Sequence, residues 1–220
     1  MAVITISRQY GSGGDEVAFR VCELMGYLYF DKRLMVRLAT VAGLTPDDLE
    51  DFSENNNKVR GFLDRLFNWQ VPRAVAHTGT WIEVSSSAKK EEEFEEARTV
   101  AFIQGTIQAA YKQGNMVIVG RGGQAILKDM PDVLHVRIES PLEARHRHVH
   151  EQQKVNLAYA QEMVATHDRT AANYLKHFYD INWADPKHYD LVINTGKLGI
   201  EAAAQLIIKA VSFLSGVGVS

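Results

Sequence analysis

The first 25 residues constrain the fold more than any other part of the chain. Ala2–Ser7 is a short run of mostly β-branched residues (Val3, Ile4, Thr5, Ile6), the composition of a central strand. Ser7-Arg8-Gln9-Tyr10-Gly11-Ser12-Gly13-Gly14-Asp15-Glu16 follows, and Asp15–Met25 then places Val17, Val21 and Leu24 at helical spacing. A strand that passes through a glycine-rich turn straight into a helix presents inward-turned N–H groups at the positive end of the helix dipole. An anion such as a phosphate is the natural guest of that turn.

The strict phosphate-loop pattern is G-x-x-x-x-G-K-[ST]. With Gly13 as its second glycine, Arg8 replaces the first glycine, Gly14 replaces the lysine and Asp15 replaces the hydroxyl residue. The lysine that would bridge the β- and γ-phosphates is therefore absent. Arg8 is the candidate replacement, a planar fork suited to phosphate at the other end of the loop. Asp15 and Glu16 are candidates to hold a metal directly or through water. The competing reading is a plain turn that joins a strand to a helix.

Beyond the turn, short apolar runs alternate with helical patterns. Strands are expected at Tyr27–Phe30, Met116–Val119, Val133–Ile138 and Asp190–Asn194. Helices are expected at 32–42, Glu95–Gln113 with Gly114 as C-cap, Pro141–Gln152, Ala158–Tyr179 and Gly199–Leu214. Thr45 with Asp48 has the form of a helix cap and Gly61–Phe67 a helical pattern, within a stretch, 53–97, whose pattern is the least regular. The charge run Lys89–Glu96 fits a solvated helix start or loop. Continuous apolar strands separated by helices predict an α/β protein with a parallel sheet covered on both faces.

In such a sheet ligands gather at the C-terminal ends of the strands. Those ends carry the 8–16 loop, Asp31-Lys32, Arg121 and Asn194-Thr195. Arg121 lies in Gly120-Arg121-Gly122-Gly123, where flanking glycines leave a guanidinium free to clamp phosphate. The helical stretch Glu143–Tyr179 carries Arg145, Arg147 and Arg169, with Asp168 beside the last. Arginines on a mobile lid suit phosphoryl transfer, which depends on cations placed around the transferring group, while ordinary surface pairing is the plainer alternative for each.

The remaining features exclude more than they suggest. His146, His148 and His150 lack companion ligands for a zinc site, and no metal-ligating residue is assigned. Trp69, Trp81 and Trp183 read as packing residues, and Cys22 as a buried thiol that leaves no internal disulfide. A net charge of −3 argues against a general nucleic-acid binder. The start MAVITISRQYGSGG has no signal-peptide pattern, and Lys209 interrupts the apolar run 202–219, so a cytoplasmic, non-membrane protein is expected.

The segments ITISRQYGSGGDEVA, FDK at 30–32, VIVGRGG at 117–123, Asp168-Arg169, Asn173-Tyr174, Trp183-Ala184-Asp185 and YDLVINT at 189–195 together resemble the cytidylate kinase-like family. The resemblance covers most of the chain and is weak between about 45 and 95. It implies a P-loop kinase-type three-layer fold over residues 1–220, with a five-stranded parallel sheet, an acceptor-binding insert at 45–97 and a helical lid at 143–180. Gly11, Ser12, Gly13, Gly14, Asp15 and Glu16 would hold the donor phosphates, and Asp31 and Arg121 would face the acceptor. Arg145, Arg147 and Arg169 would act from the lid. The implied reaction is ATP plus CMP (or dCMP) giving ADP plus CDP (or dCDP), with Mg²⁺, catalysed by charge placement with Asp31 as the one candidate base.

The sequence departs from cytidylate kinases at Gly14, where they keep lysine, and at Gly122, where they carry an Asp after the arginine. Three functions stay open: a nucleoside monophosphate kinase, a nucleotide-binding sensor without turnover, and a kinase for another small molecule. The oligomeric state is open as well.

Overall fold

The computed structural model describes residues 2–31, 34 and 89–214. The expected helix at 32–42, the cap at Thr45, the 61–67 helix, Trp69, Trp81 and most of the 45–97 insert lie outside the described residues. The chain divides into two units, Met1–Met35 with Ala110–Ser220 and Val36–Ala109; every site residue discussed below belongs to the first.

Five strands form one sheet: β1 (Val3–Arg8), β2 (Leu28–Phe30), β3 (Met116–Val119), β4 (Val133–Glu139) and β5 (Leu191–Asn194). Their order is β2-β3-β1-β4-β5, and every neighbouring pair is parallel. The described helices are α1 (Gly14–Met25), α2 (Lys89–Gln113), α3 (Gly123–Ile126), α4 (Leu142–Gln153), α5 (Leu157–Tyr179) and α6 (Thr195–Leu214). The α/β architecture with a five-stranded parallel sheet is as expected. So is the C-cap at Gly114, whose N–H bonds back to Tyr111 O at 3.0 Å with a positive φ. α2 starts at Lys89, so the charge run is helical from its first residue.

β1 is central because its side chains are buried on both faces. Ile4 and Ile6 point to one face with Val117, Val119, Leu134 and Val136, where α1 (Val17, Val21) and α6 (Ala203, Ile207) cover them. The other face mixes buried apolar side chains (Val3, Met116, Ile118) with buried polar ones. Thr5 Oγ1 lies 2.7 Å from His135 Nδ1, and a β-carbon at Gly123 of α3 would lie 3.2 Å from Thr5 Cγ2. Burial lowers the His135 pKa, against an opposing pull from Asp190.

Two breaks shape the C-terminal half. α4 ends at Lys154 in the left-handed conformation, and Asn156 caps α5 by accepting the Tyr159 N–H at 2.8 Å. Gly199 (φ 74°, ψ 175°) kinks α6 after its first turn, a backbone shape that glycine adopts without strain. Cys22 is buried on α1, and burial pushes its thiol up to about 12. Trp183 is buried as a packing residue. No helix of the described residues is long and apolar enough to cross a membrane.

Candidate functional site

The glycine-rich loop between β1 and α1 turns on Gly11 and Gly13, both at φ 75°. Gly11 is also pressed against α4, since a β-carbon there would lie 2.7 Å from Val149 Cγ2 and 2.9 Å from the Arg145 carbonyl. The loop is pinned at each end. Gln9 N–H donates to Ile138 O (3.0 Å), and Gln9 Oε1 accepts the Ser140 N–H (3.1 Å). The Thr195 hydroxyl at the start of α6 donates to Ser12 O at 2.6 Å. The Ser12 hydroxyl itself is buried with no hydrogen-bond partner among the described residues.

Arg8 lies across Gly14. A β-carbon at Gly14 would fall 2.5 Å from Arg8 Cβ and 2.7 Å from its Cγ, so the arginine fills the space that a side chain at 14 would take. Its Nε and Nη2 donate to Asp15 Oδ1 at 3.0 and 2.9 Å. Its Nη1 extends past the end of β3, 2.8 Å from where a β-carbon of Gly120 would stand. The Tyr29 hydroxyl donates to the same Asp15 oxygen at 3.4 Å. Burial raises the Tyr29 pKa, Asp15 and Asp31 add to the rise, and Arg8 opposes it. Glu16, by contrast, faces α4, where its Oε1 meets Gln152 Nε2 (2.6 Å) and His148 Nε2 (3.0 Å).

A second group lies beyond β2 and β3. Arg121 has φ 57°, and its guanidinium stands 5.8 Å from the Tyr174 ring centre. Burial lowers its pKa, Tyr174 and Asp31 counter this, and Arg8 adds to the lowering. Arg8, Asp31, Arg121 and Tyr174 therefore share one electrostatic neighbourhood. Asp31 Oδ1 also accepts the Leu34 N–H at 2.9 Å. Gly122 (φ 75°) has no room for a side chain, because a β-carbon would lie 2.6 Å from Tyr179 Cε2. The Tyr179 ring takes the space that a side chain at 122 would need.

The arginines of the helical stretch separate into two kinds. Arg145 is buried and donates to Ser140 O (3.1 Å), Tyr10 O (3.2 Å) and Asp168 Oδ2 (2.6 Å). Arg147 and Arg169 are exposed. Thus Arg145 is spent on holding the loop and Asp168, while the other two keep their guanidiniums at the surface.

Sequence reasoning missed two features. Arg137 on β4 is 2% exposed and in register with Ser7. Its Nε donates to Glu139 Oε1 (2.5 Å), its Nη1 to Trp183 O (2.7 Å), and it stacks on the Trp183 ring at 4.4 Å. Trp183 Nε1 in turn donates to Ser7 Oγ at 2.9 Å, and the Tyr189 hydroxyl lies 3.2 Å from that oxygen. The available signal was His and Arg at alternate positions inside the apolar run VLHVRIE, opposite Thr5 and Ser7. The second is the contact of Asp168, read in the sequence only as the neighbour of Arg169, with the loop: it also accepts the Tyr10 N–H at 2.9 Å. No local pattern announces a contact 158 residues apart.

Comparison with known proteins identifies similar chains. A cytidylate kinase from Methanocella arvoryzae is 22% identical over 96% of this chain and 98% of its own length. A cytidylate kinase from Methanocaldococcus jannaschii is 29% identical over 47% of this chain and 59% of its own length. A uronate isomerase from Corynebacterium glutamicum is 31% identical over 42% of this chain, which spans only 18% of that protein. The crystal structure of an uncharacterized protein from Eubacterium ventriosum superposes with a TM-score of 0.66 at 21% identity, covering 96% of this chain and 99% of that one, a likeness of fold. The sequence pattern of the cytidylate kinase-like family matches residues 3–197, and the chain belongs to that family.

Proposed function

We propose that the protein is an ATP-dependent phosphotransferase that phosphorylates a nucleoside monophosphate, with CMP or dCMP as the leading acceptor. The observation that carries this reading is Arg8 laid over Gly14, a cation occupying the place from which the strict motif extends its lysine. The loop around it fits a polyphosphate: two left-handed glycines, a helix N-terminus and the partnerless Ser12 hydroxyl. Mg²⁺ fits less directly, because Asp15 Oδ1 is paired with Arg8 and Glu16 Oε1 with His148 and Gln152. Held by nucleotide and water, the ion would supply charge neutralisation at the β- and γ-phosphates.

The chain's own residues act by placement of charge. Gly11–Glu16 hold the donor phosphates, and Asp15 fixes the Arg8 guanidinium over them. Asp31 and Arg121 face the acceptor. Arg147 and Arg169, exposed on α4 and α5, approach from the lid, while Arg145 positions the loop through the Tyr10 carbonyl. A cytoplasmic location suits an enzyme that draws on ATP.

The test is ADP release with Mg-ATP against CMP, dCMP, UMP, AMP and GMP. Turnover with one acceptor supports the kinase. Tight ATP binding without turnover supports a nucleotide sensor or another acceptor, a reading favoured by the Arg8–Asp15 pair that occupies the cation. An exchange of motifs tests Arg8 itself. Gly14→Lys alone is expected to weaken ATP binding about tenfold or more through collision with Arg8, and Arg8→Gly with Gly14→Lys to recover most of it. Equal affinities of the single and double variants would remove Arg8 from the site.

A further inference from the structure

Tyr10, in the middle of the glycine-rich loop, is held from three directions by the helical pair. Its N–H donates to Asp168 Oδ1 at 2.9 Å, and its carbonyl accepts from Arg145 Nη1 at 3.2 Å. Its ring stacks on His167, with centroids 4.1 Å apart and planes 16° from parallel. His167 immediately precedes the aspartate that grips the loop, so the same latch fixes the imidazole over it. His167 as a residue nonetheless stays exposed, with its imidazole partly covered. The phosphate site proposed above explains neither the stack nor the exposure.

We propose that His167 is a binding residue of the polyphosphate site, a second and proton-dependent cation beside Arg8 that meets the outer phosphate of the donor from the lid. This rests on the reading of the loop as that site. Stacking on Tyr10 fixes the ring plane and leaves the ring edge, which carries both nitrogens, outside the stack, as a hydrogen-bond donor to phosphate requires. The charged groups that face it are Asp168 from α5 and Arg8 from the loop, with Arg145 of α4 bound to the same Asp168. In the free protein burial lowers the His167 pKa, Asp168 raises it and Arg8 lowers it further. A bound phosphate would offset Arg8 and shift the imidazole upward. By linkage, the extra affinity is then complete below the free pKa and is lost as pH rises through the bound one.

The experiment uses the full chain and inorganic tripolyphosphate. Histidine C2–H NMR titrations are recorded with and without the ligand, and the His167 signal is assigned by its loss in His167→Gln. Calorimetry then runs from about pH 5.5 to about pH 8 on wild type, His167→Gln, His167→Arg and His148→Gln. The expected result is a rise of about one unit in the His167 pKa on binding, which corresponds to about tenfold tighter binding of the protonated form. The pH slope should exceed that of His167→Gln, persist in His148→Gln and flatten in His167→Arg, which should bind tightly throughout. Binding with an unmoved His167 signal and equal slopes in wild type and His167→Gln would overturn the role of His167 while leaving the loop in place. Absence of any tripolyphosphate binding would overturn the loop reading and this proposal together.

Discussion

The two faces of the central sheet are built on different principles. On the face covered by α1 and α6, Ile4, Ile6, Val136 and Ile138 pack against aliphatic partners with no polar contact to satisfy. On the opposite face the same strands place Thr5, Ser7, His135 and Arg137 beside Val3 and Val133, all buried, and each polar one needs a specific partner. The apolar face tolerates any neighbour of suitable volume, so it secures stability. The polar cluster on the opposite face works only when Trp183, Tyr189 and Glu139 arrive in one arrangement, so it ties the 183–189 segment to Ser7, the residue next to Arg8. Such networks specify geometry more than they add stability, and here the geometry belongs to the mouth of the loop.

Four substitutions break or sharpen this contrast. Ile4→Ala, fully buried on the apolar face, should have the largest effect, lowering the stability measured by urea unfolding by about 3 to 4 kcal/mol. Its affinity for ATP should be unchanged. Arg137→Met on the other face should cost about 2 to 3 kcal/mol, from the loss of charged hydrogen bonds to Glu139 and Trp183 O partly offset by apolar packing. It should also weaken ATP binding, because Ser7 loses its anchored partners. A variant that is less stable yet binds normally would show that the two faces do not differ in function.

Gly122→Ala should cost about 1 to 2 kcal/mol, since a left-handed backbone and the Tyr179 ring both oppose a β-carbon. Its effect should fall on the acceptor KM, as Arg121 is the preceding residue. Glu201→Gln, which breaks the exposed ion pair with Arg20 far from either network, should leave the unfolding midpoint unmoved. A measurable loss there would mean that the docking of α1 against α6 depends on more than its apolar contacts.

The elements were legible where periodicity was strong. The break between α4 and α5, the strand at Met116–Val119 and the loop at Gly11–Glu16 follow from local composition, as do Arg8 and Arg121 as candidates. The Gly14 substitution was also visible, but its reason was not. Only coordinates show that the missing side chain makes room for Arg8. Arg145 illustrates the opposite case: its place on a lid helix was readable, whereas its burial against Tyr10 and Asp168 was not. Arg137 was passed over because a charged residue within an apolar run gives no sign of its partners.

By itself the sequence determined the parallel α/β architecture, the glycine-rich turn at a helix N-terminus and the family. Hydrophobic period, glycine placement and strand composition act over a few residues and are written in order along the chain. The tertiary structure decided which polar groups meet: Arg8 with Asp15, Tyr10 with His167 and Asp168, Arg137 with Trp183. Those pairings join residues from 7 to 158 positions apart. They depend on side-chain direction after the sheet has closed, a property that no local window of sequence carries.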